Sequence, residues 1–210
     1  MTVQGSLLDC LGLPDDGPAV AQLGDLGRAR RTHLQDGAWI DVLPGWVSGS
    51  NELFDRLLDA VPWYGEQRQM YERVVRVPRM LCWYGEGDPL PDPLLTQARM
   101  RLSAHYGAEP FRTAGFCLYR DGRDSVAWHG DTIGRGRYED TMVAILSFGS
   151  PRALLLRPRG GTTVHRFCLG HGDLVVMGGS CQRTWEHAIA KTARAVGPRI
   201  SVQFRPRGVR

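Results

Sequence analysis

The stretch FCLYRDGRDSVAWHGD, residues 116–131, decides how this chain is read. Two short apolar runs flank a turn rich in Asp and Gly, the pattern of strand, turn and strand. It continues downstream in MVAILSFG (142–149), RALLLRP (152–158), VHRFCL (164–169), DLVVMGG (173–179), WEHAIAK (185–191) and RISVQFRP (199–206). Eight such segments suit a double-stranded β-helix, or jelly roll, within a mainly β member of the α+β class. Upstream, AWIDVLPGWV (38–47) reads as a strand entering a turn. NELFDRLLDAV (51–61) repeats apolar residues at helical spacing behind Asn51 as a cap, and a second helix is expected after Pro93, with Leu94, Leu95, Ala98 and Leu102 on one side. Helices from the first half are thus expected to pack on one sheet. Residues 1–36 have no period and read as an irregular extension. A single jelly-roll domain is expected over 37–210, with 37–110 as helical support and lid segments and 111–210 as the core.

The chain has 210 residues, 42% of them hydrophobic and 23% charged, which suits one globular domain. Its longest apolar runs, such as Met142–Leu146 and Leu174–Met177, fall far short of the roughly 20 residues of a membrane helix. No secretory signal is read at the start, so a cytoplasmic monomer with no membrane partner is expected. Cys10, Cys82, Cys117, Cys168 and Cys181 are odd in number and form no C-x-x-C pair, which predicts reduced thiols. The formal charge of +4 hides an asymmetry, because residues 152–210 hold ten Arg and one Lys against Asp173 and Glu186. A half so basic attracts polyanions.

His129 and Asp131 stand two apart in SVAWHGD, so along a strand they face the same side and can hold one ion. A third ligand must return from a later strand. His171 lies in the turn string LGHGD and His165 in a basic segment, and both are read as surface residues. His187, in TWEHAIAK, is followed by Arg199 and Arg205, which are six apart and so share a strand face. Two guanidinium groups aimed one way suit a dicarboxylic acid, since Arg grips carboxylate through a planar fork. Two His and one carboxylate form the facial triad of non-haem iron oxygenases, which leaves positions open for co-substrate and dioxygen. Zinc hydrolysis gives the paired Arg no role, and Glu186, beside a ligand, is expected to point away from it. His129, Asp131 and His187 are therefore the expected Fe(II) ligands, with 2-oxoglutarate on Arg199 and Arg205.

In YRDGRDSVAWHGD, GDLVVMGGSCQRTWEH and GPRISVQFR the sequence resembles the AlkB family of iron(II)- and 2-oxoglutarate-dependent dioxygenases, over about Pro78 to Pro206. The family order of Tyr, H-x-D, W-x-H and R-x5-R is met by Tyr119, His129, Asp131, Trp185, His187, Arg199 and Arg205. The resemblance implies that Tyr119 and Arg199 hold the far carboxylate of 2-oxoglutarate and that Arg205 lies near its keto-acid end. Cys117, where the family often has Asn, and Ser201 complete the expected co-substrate set. It also implies oxidative removal of alkyl groups from bases in DNA or RNA, with the base unpaired or flipped to reach the metal. VPRMLCWYGE (77–86) resembles the segment ahead of the core in nucleic-acid-acting members, making Arg79 and Tyr84 expected substrate contacts, joined by Trp128 and Ile133. Thr132 and Ile133 stand where better-known members place acids facing the base. The alternative reading keeps the iron and 2-oxoglutarate chemistry but gives it a protein or small molecule as substrate. A third is a binding module that has lost catalysis, against which the intact metal and Arg positions count.

Overall fold

The run VAILSFG is apolar on both faces, as a strand needs when it is covered from two sides. In the computed structural model, which describes residues 20–70, 73–107, 109–162 and 165–209, it lies inside the larger of two facing sheets. Strands β1 (Gln22–Leu23), β2 (Arg30–His33), β3 (Trp39–Leu43) and β4 (Val47–Ser48) precede helix α1 (Asn51–Ala60). The hairpin β5 (Tyr64–Met70) and β6 (Arg73–Tyr84) leads to helix α2 (Pro93–Tyr106). Then come β7 (Phe111–Tyr119), β8 (Val126–His129), β9 (Val143–Gly149), β10 (Arg152–Pro158), β11 (His165–Leu169) and β12 (Asp173–Gly178). One turn of helix, α3 (Cys181–Thr184), precedes β13 (Trp185–Ile189) and β14 (Arg199–Pro206).

The larger sheet runs β2-β3-β12-β9-β14-β7-β6-β5 and the smaller β11-β10-β13-β8, all antiparallel. Side-chain alternation divides the interior into two cores. Ala144, Leu146 and Phe148 of β9, with Ile200, Val202 and Phe204 of β14, pack against Leu53 and Leu57 of α1 and Leu95, Ala98 and Leu102 of α2. Val143 and Ile145 face the other way, onto Leu154, Leu156 and Ile189 of the smaller sheet. The eight segments expected downstream of residue 111 are the eight strands β7 to β14, and the jelly roll is the observed fold.

Upstream, the outcome differs in three places. The supposed irregular extension contributes β2 to the edge of the larger sheet, paired with β3 from Arg30–Val42 to His33–Trp39; residues 1–19 lie outside the described residues. Ser50, not Asn51, occupies the N-cap of α1. The hairpin β5–β6 makes the first half as much sheet as helix. Its register slips between the pairs Gly65–Met80 and Gln67–Arg76, opposite Pro78, whose missing N–H a regular ladder would not accept. The thiols also depart in part from expectation: Cys82, Cys117 and Cys181 are free, but Cys168 is disulfide-bonded. Cys10 lies outside the described residues.

Gly149 ends β9 at φ +84°, and a Cβ there would meet the Pro198 carbonyl and lie 2.7 Å from Cε2 of Phe54. The contact joins α1 to the residue ahead of β14. Gly149→Ala should therefore cost about 1–3 kcal/mol of backbone strain and a similar overpacking term of about 1–3 kcal/mol. Melting followed by circular dichroism should drop by at least ~5 °C; an unchanged midpoint would contradict the packing described.

Candidate active site

Strand β14 turns Arg199, Ser201, Gln203 and Arg205 away from the helices and into the space between the sheets, opposite Tyr119, Cys117, Gly115 and Thr113 of β7. Gly115 is the small member of this wall: a Cβ there would lie 2.8 Å from Arg205 Nη1 and 3.0 Å from Gln203 Oε1. The even spacing of the two Arg thus acts as expected, and both are buried. From the smaller sheet, His129 of β8 and His187 of β13 are direct register partners, their rings 4.2 Å apart. A bulge after His187 lets Val126 and His129, three apart, face the same cavity.

Asp131 follows β8, and its backbone N–H donates to Gln182 Oε1 at 3.0 Å. Arg205 donates to Asp131 Oδ2, with Nε and Nη2 each at 3.1 Å, while Oδ1 lies 4.0 Å from His129 Nε2. Among the described residues no three His, Cys, Asp or Glu side chains already converge as a metal cage, the Asp131 carboxylate being drawn onto Arg205. The donors nevertheless suit a divalent ion. Burial alone would raise the Asp131 carboxyl, but Arg205, His187 and His129 outweigh it and hold the group below its ordinary range, so it is an anion. Burial, reinforced by His129, pushes His187 down to about 3, so its ring is neutral, as a ligand must be. His129 Nδ1 sits 2.8 Å from the Ala127 carbonyl; the tautomer that donates there leaves Nε2 free for a metal.

Arg199 is 1% exposed and holds Ser147 Oγ through Nε at 3.0 Å, while its guanidinium lies 5.3 Å from the Tyr119 ring centre. Its Nη1 is buried without a hydrogen-bond partner. Burial pushes the Tyr119 hydroxyl up to about 12, so it is a neutral donor. Cys117 Sγ lies 3.8 Å from Gln203 Oε1, and Gln203 Nε2 donates to Ser201 Oγ. Gln203 was absent from the expected set, although its even spacing from Arg199 was a signal for it. Water-accessible space within this cavity is about 60 Å³.

Several expected residues sit elsewhere. Arg79 lines this same cavity, with Nη1 donating to the Ser125 carbonyl at 3.3 Å, and is not on the open rim. Tyr84 packs edge-on against Phe116, 5.1 Å between centres, in the helix-side core, while Trp83 lies under Arg205 at 6.0 Å. Trp128 lies under the Arg157 guanidinium, 4.2 Å from its ring centre, and is not part of the cavity wall. Ile133 is 68% exposed in the loop after Asp131. His165 and His171 are packed, not superficial: His165 adjoins Phe167 and Trp185, and His171 lies between Phe54 and Phe148 and accepts from the Gly149 N–H. Glu186 points outward to Arg157, as expected.

Comparison with known proteins fits this arrangement. Residues 40–205 match the model of the 2OG-Fe(II) oxygenase superfamily. The chain belongs to that superfamily. It is 30% identical over 197 residues to alpha-ketoglutarate-dependent dioxygenase alkB homolog 3 of Bos taurus and of Homo sapiens, covering 80% of this chain and 67% of each relative. To the DNA oxidative demethylase ALKBH2 of Mus musculus it is 28% identical, covering 65% of either chain. Its fold resembles the structure of OsALKBH1, with TM-score 0.55 at 13% identity over 84% of this chain and 100% of that one. It also resembles a prolyl hydroxylase from Trichoplax adhaerens, with TM-score 0.57 at 12% identity over 80% and 83%. The protein is thus an AlkB-type, 2-oxoglutarate-dependent oxidoreductase that uses iron(II), 2-oxoglutarate and dioxygen. No helix among the described residues is long and apolar enough to cross a membrane.

His129→Ala and His187→Ala should each abolish tight binding of Mn(II), used as a redox-silent probe, measured by calorimetry. His171→Ala should lose stability but keep the metal. Retention of Mn(II) by His187→Ala would show that the ligands lie elsewhere.

Proposed function

We propose that this chain oxidatively removes alkyl groups from bases in nucleic acid, most directly as DNA alkylation repair, with RNA as a second substrate. His129, Asp131 and His187 hold the iron, and Tyr119, Arg199, Ser201 and Arg205 hold 2-oxoglutarate, within one catalytic domain that includes β2 as well as residues 37–210 and acts as a monomer. The observation that carries the reading is the register pair His129–His187, with Asp131 anchored by Arg205 beside a cavity that also contains Arg199. When bound, iron and 2-oxoglutarate together activate dioxygen to hydroxylate the alkyl carbon, and the alkyl group then leaves as an aldehyde.

The chain's own residues do the positioning. Arg205 fixes one oxygen of Asp131 and leaves the other on the His129 side, so the carboxylate arrives at the metal oriented. Neutral His187 needs to lose no proton before it ligates. Arg199 and the neutral Tyr119 hydroxyl provide donors for a carboxylate in a site screened from water, where such bonds are strong. Support for nucleic acid comes from the basic second half, the names of the relatives, and the exposed loop after Asp131. There Ile133 and Tyr138 are exposed at 68% and 78%, with Arg137 beside the Tyr138 ring. Exposed apolar and aromatic groups next to a cation suit an unstacked base and its phosphate.

The test is mass spectrometry of oligonucleotides with 1-methyladenine, 3-methylcytosine or ethenoadenine, incubated with enzyme, iron(II), 2-oxoglutarate and oxygen. Restored bases should appear with matching succinate, and affinity for the strand should fall log-linearly with salt. Arg199→Lys should restore little of the co-substrate affinity lost in Arg199→Ala. Turnover of 2-oxoglutarate that no modified strand stimulates, with a flat salt response, would favour a protein or small-molecule substrate.

A further inference from the structure

Strand β6 runs Arg79-Met80-Leu81-Cys82-Trp83-Tyr84, and Met80, Cys82 and Tyr84 join the helix-side core. Alternation sends Arg79, Leu81 and Trp83 to the opposite face, between the sheets. There Arg79 shares the cavity wall with Cys117, Tyr119 and Arg199. Two hydrogen bonds fix its position, the Ser125 N–H to the Pro78 carbonyl at 2.8 Å and Arg79 Nη1 to the Ser125 carbonyl at 3.3 Å. Arg79 Nε, like Arg199 Nη1, is buried with no acceptor. A buried donor without a partner is costly, and two of them in one cavity define a demand for acceptors.

The charges carry the same message. Among the described residues three guanidinium groups line the cavity and no carboxylate does; Arg205 is paired with Asp131, just outside the wall. Among the described residues neither Arg79 nor Arg199 has a carboxylate within ion-pair distance. Glu66 and Asp173 attract Arg79 and Arg199 only from beyond ion-pair distance, so two positive charges without a paired carboxylate remain, which matches the charge of a dicarboxylate. Cys117, a weak donor directed to Gln203 and with its sulfur also engaged by Arg79, leaves a carboxylate short of a strong partner at this wall.

We propose that Arg79 is a third guanidinium on 2-oxoglutarate, supplying the donor that Cys117 lacks, and is not a contact to nucleic acid. The inference rests on the reading of Arg199 as a carboxylate anchor. It moves Arg79 from the substrate side of the enzyme to the co-substrate side.

The experiment is calorimetric titration of 2-oxoglutarate into the Mn(II)-loaded full chain under anaerobic conditions, beside fluorescence anisotropy of an oligonucleotide at fixed salt. Arg79→Ala should weaken 2-oxoglutarate binding at least 10-fold, with Arg79→Lys intermediate, and leave oligonucleotide affinity within twofold of wild type. If Arg79→Ala does not fold, Arg79→Met, which keeps the apolar stem, and Arg79→Lys provide the same comparison. Unchanged 2-oxoglutarate affinity in these variants, with oligonucleotide binding lost, would overturn the proposal. Arg199→Ala separates the two levels: weak binding there with normal binding in Arg79→Ala refutes Arg79 alone, and normal binding in both refutes the co-substrate site itself.

Discussion

Strand β14 imposes the constraint on which the rest of the structure depends. It lies between β9 and β7, so every residue from Arg199 to Pro206 is buried, and alternation gives it one apolar and one polar face. Ile200, Val202 and Phe204 join the helix-side core, whereas Arg199, Ser201, Gln203 and Arg205 face the smaller sheet. Two buried arginines on a central strand are tolerable only if something answers their charge. Asp131 answers Arg205 within the chain. Among the described residues nothing within ion-pair distance answers Arg199, and the buried Nη1 is the visible sign of it.

Much of the surrounding architecture follows from holding that polar face dry and open. Gly115 gives Arg205 room, and Tyr119 lies between the Arg199 and Arg152 guanidinium groups, 5.3 and 5.7 Å from its ring centre. Arg152 is itself spent on the carbonyls of Asp121, Asp124 and Ala190, which fastens the turn before β8 and the end of β13. The two histidines thereby arrive from neighbouring strands in register, opposite the arginines. Fold stability and co-substrate capture are in this sense opposed: filling the cavity with apolar side chains would suit the fold and remove the site.

How far this was legible in the sequence depended on period and on distance along the chain. The strands after residue 111, H-x-D and R-x5-R could be read because a two-residue repeat decides which side chains share a face. That His129 and His187 stand directly opposite could not, since it depends on register and a bulge between strands far apart in the chain. Tyr84 and Trp83 were indistinguishable for a related reason. MLCWY (80–84) is apolar or aromatic at both parities, and only pairing with β7, such as Met80 with Leu118, sets which parity meets the helices. The same parity carried Arg79 inward. β5 and β2 went unread because they are polar strands at or near sheet edges, without the alternation that marks a half-buried strand. His171 sat in what looked like a surface turn, and only the folded chain brings Phe54 and Phe148 around it.

If the cavity is a dry site whose charge the co-substrate completes, removing that charge should help the fold and end the response to ligand. The direct measurement is thermal melting of wild type and Arg199→Met, each with Mn(II), with and without 2-oxoglutarate. At about 100 times Kd, wild type should gain roughly 2.7 kcal/mol, a rise of several degrees. Arg199→Met should melt at or above wild type without co-substrate and show no rise with it. A variant that melts far lower on its own, or that still rises with 2-oxoglutarate, would contradict the account.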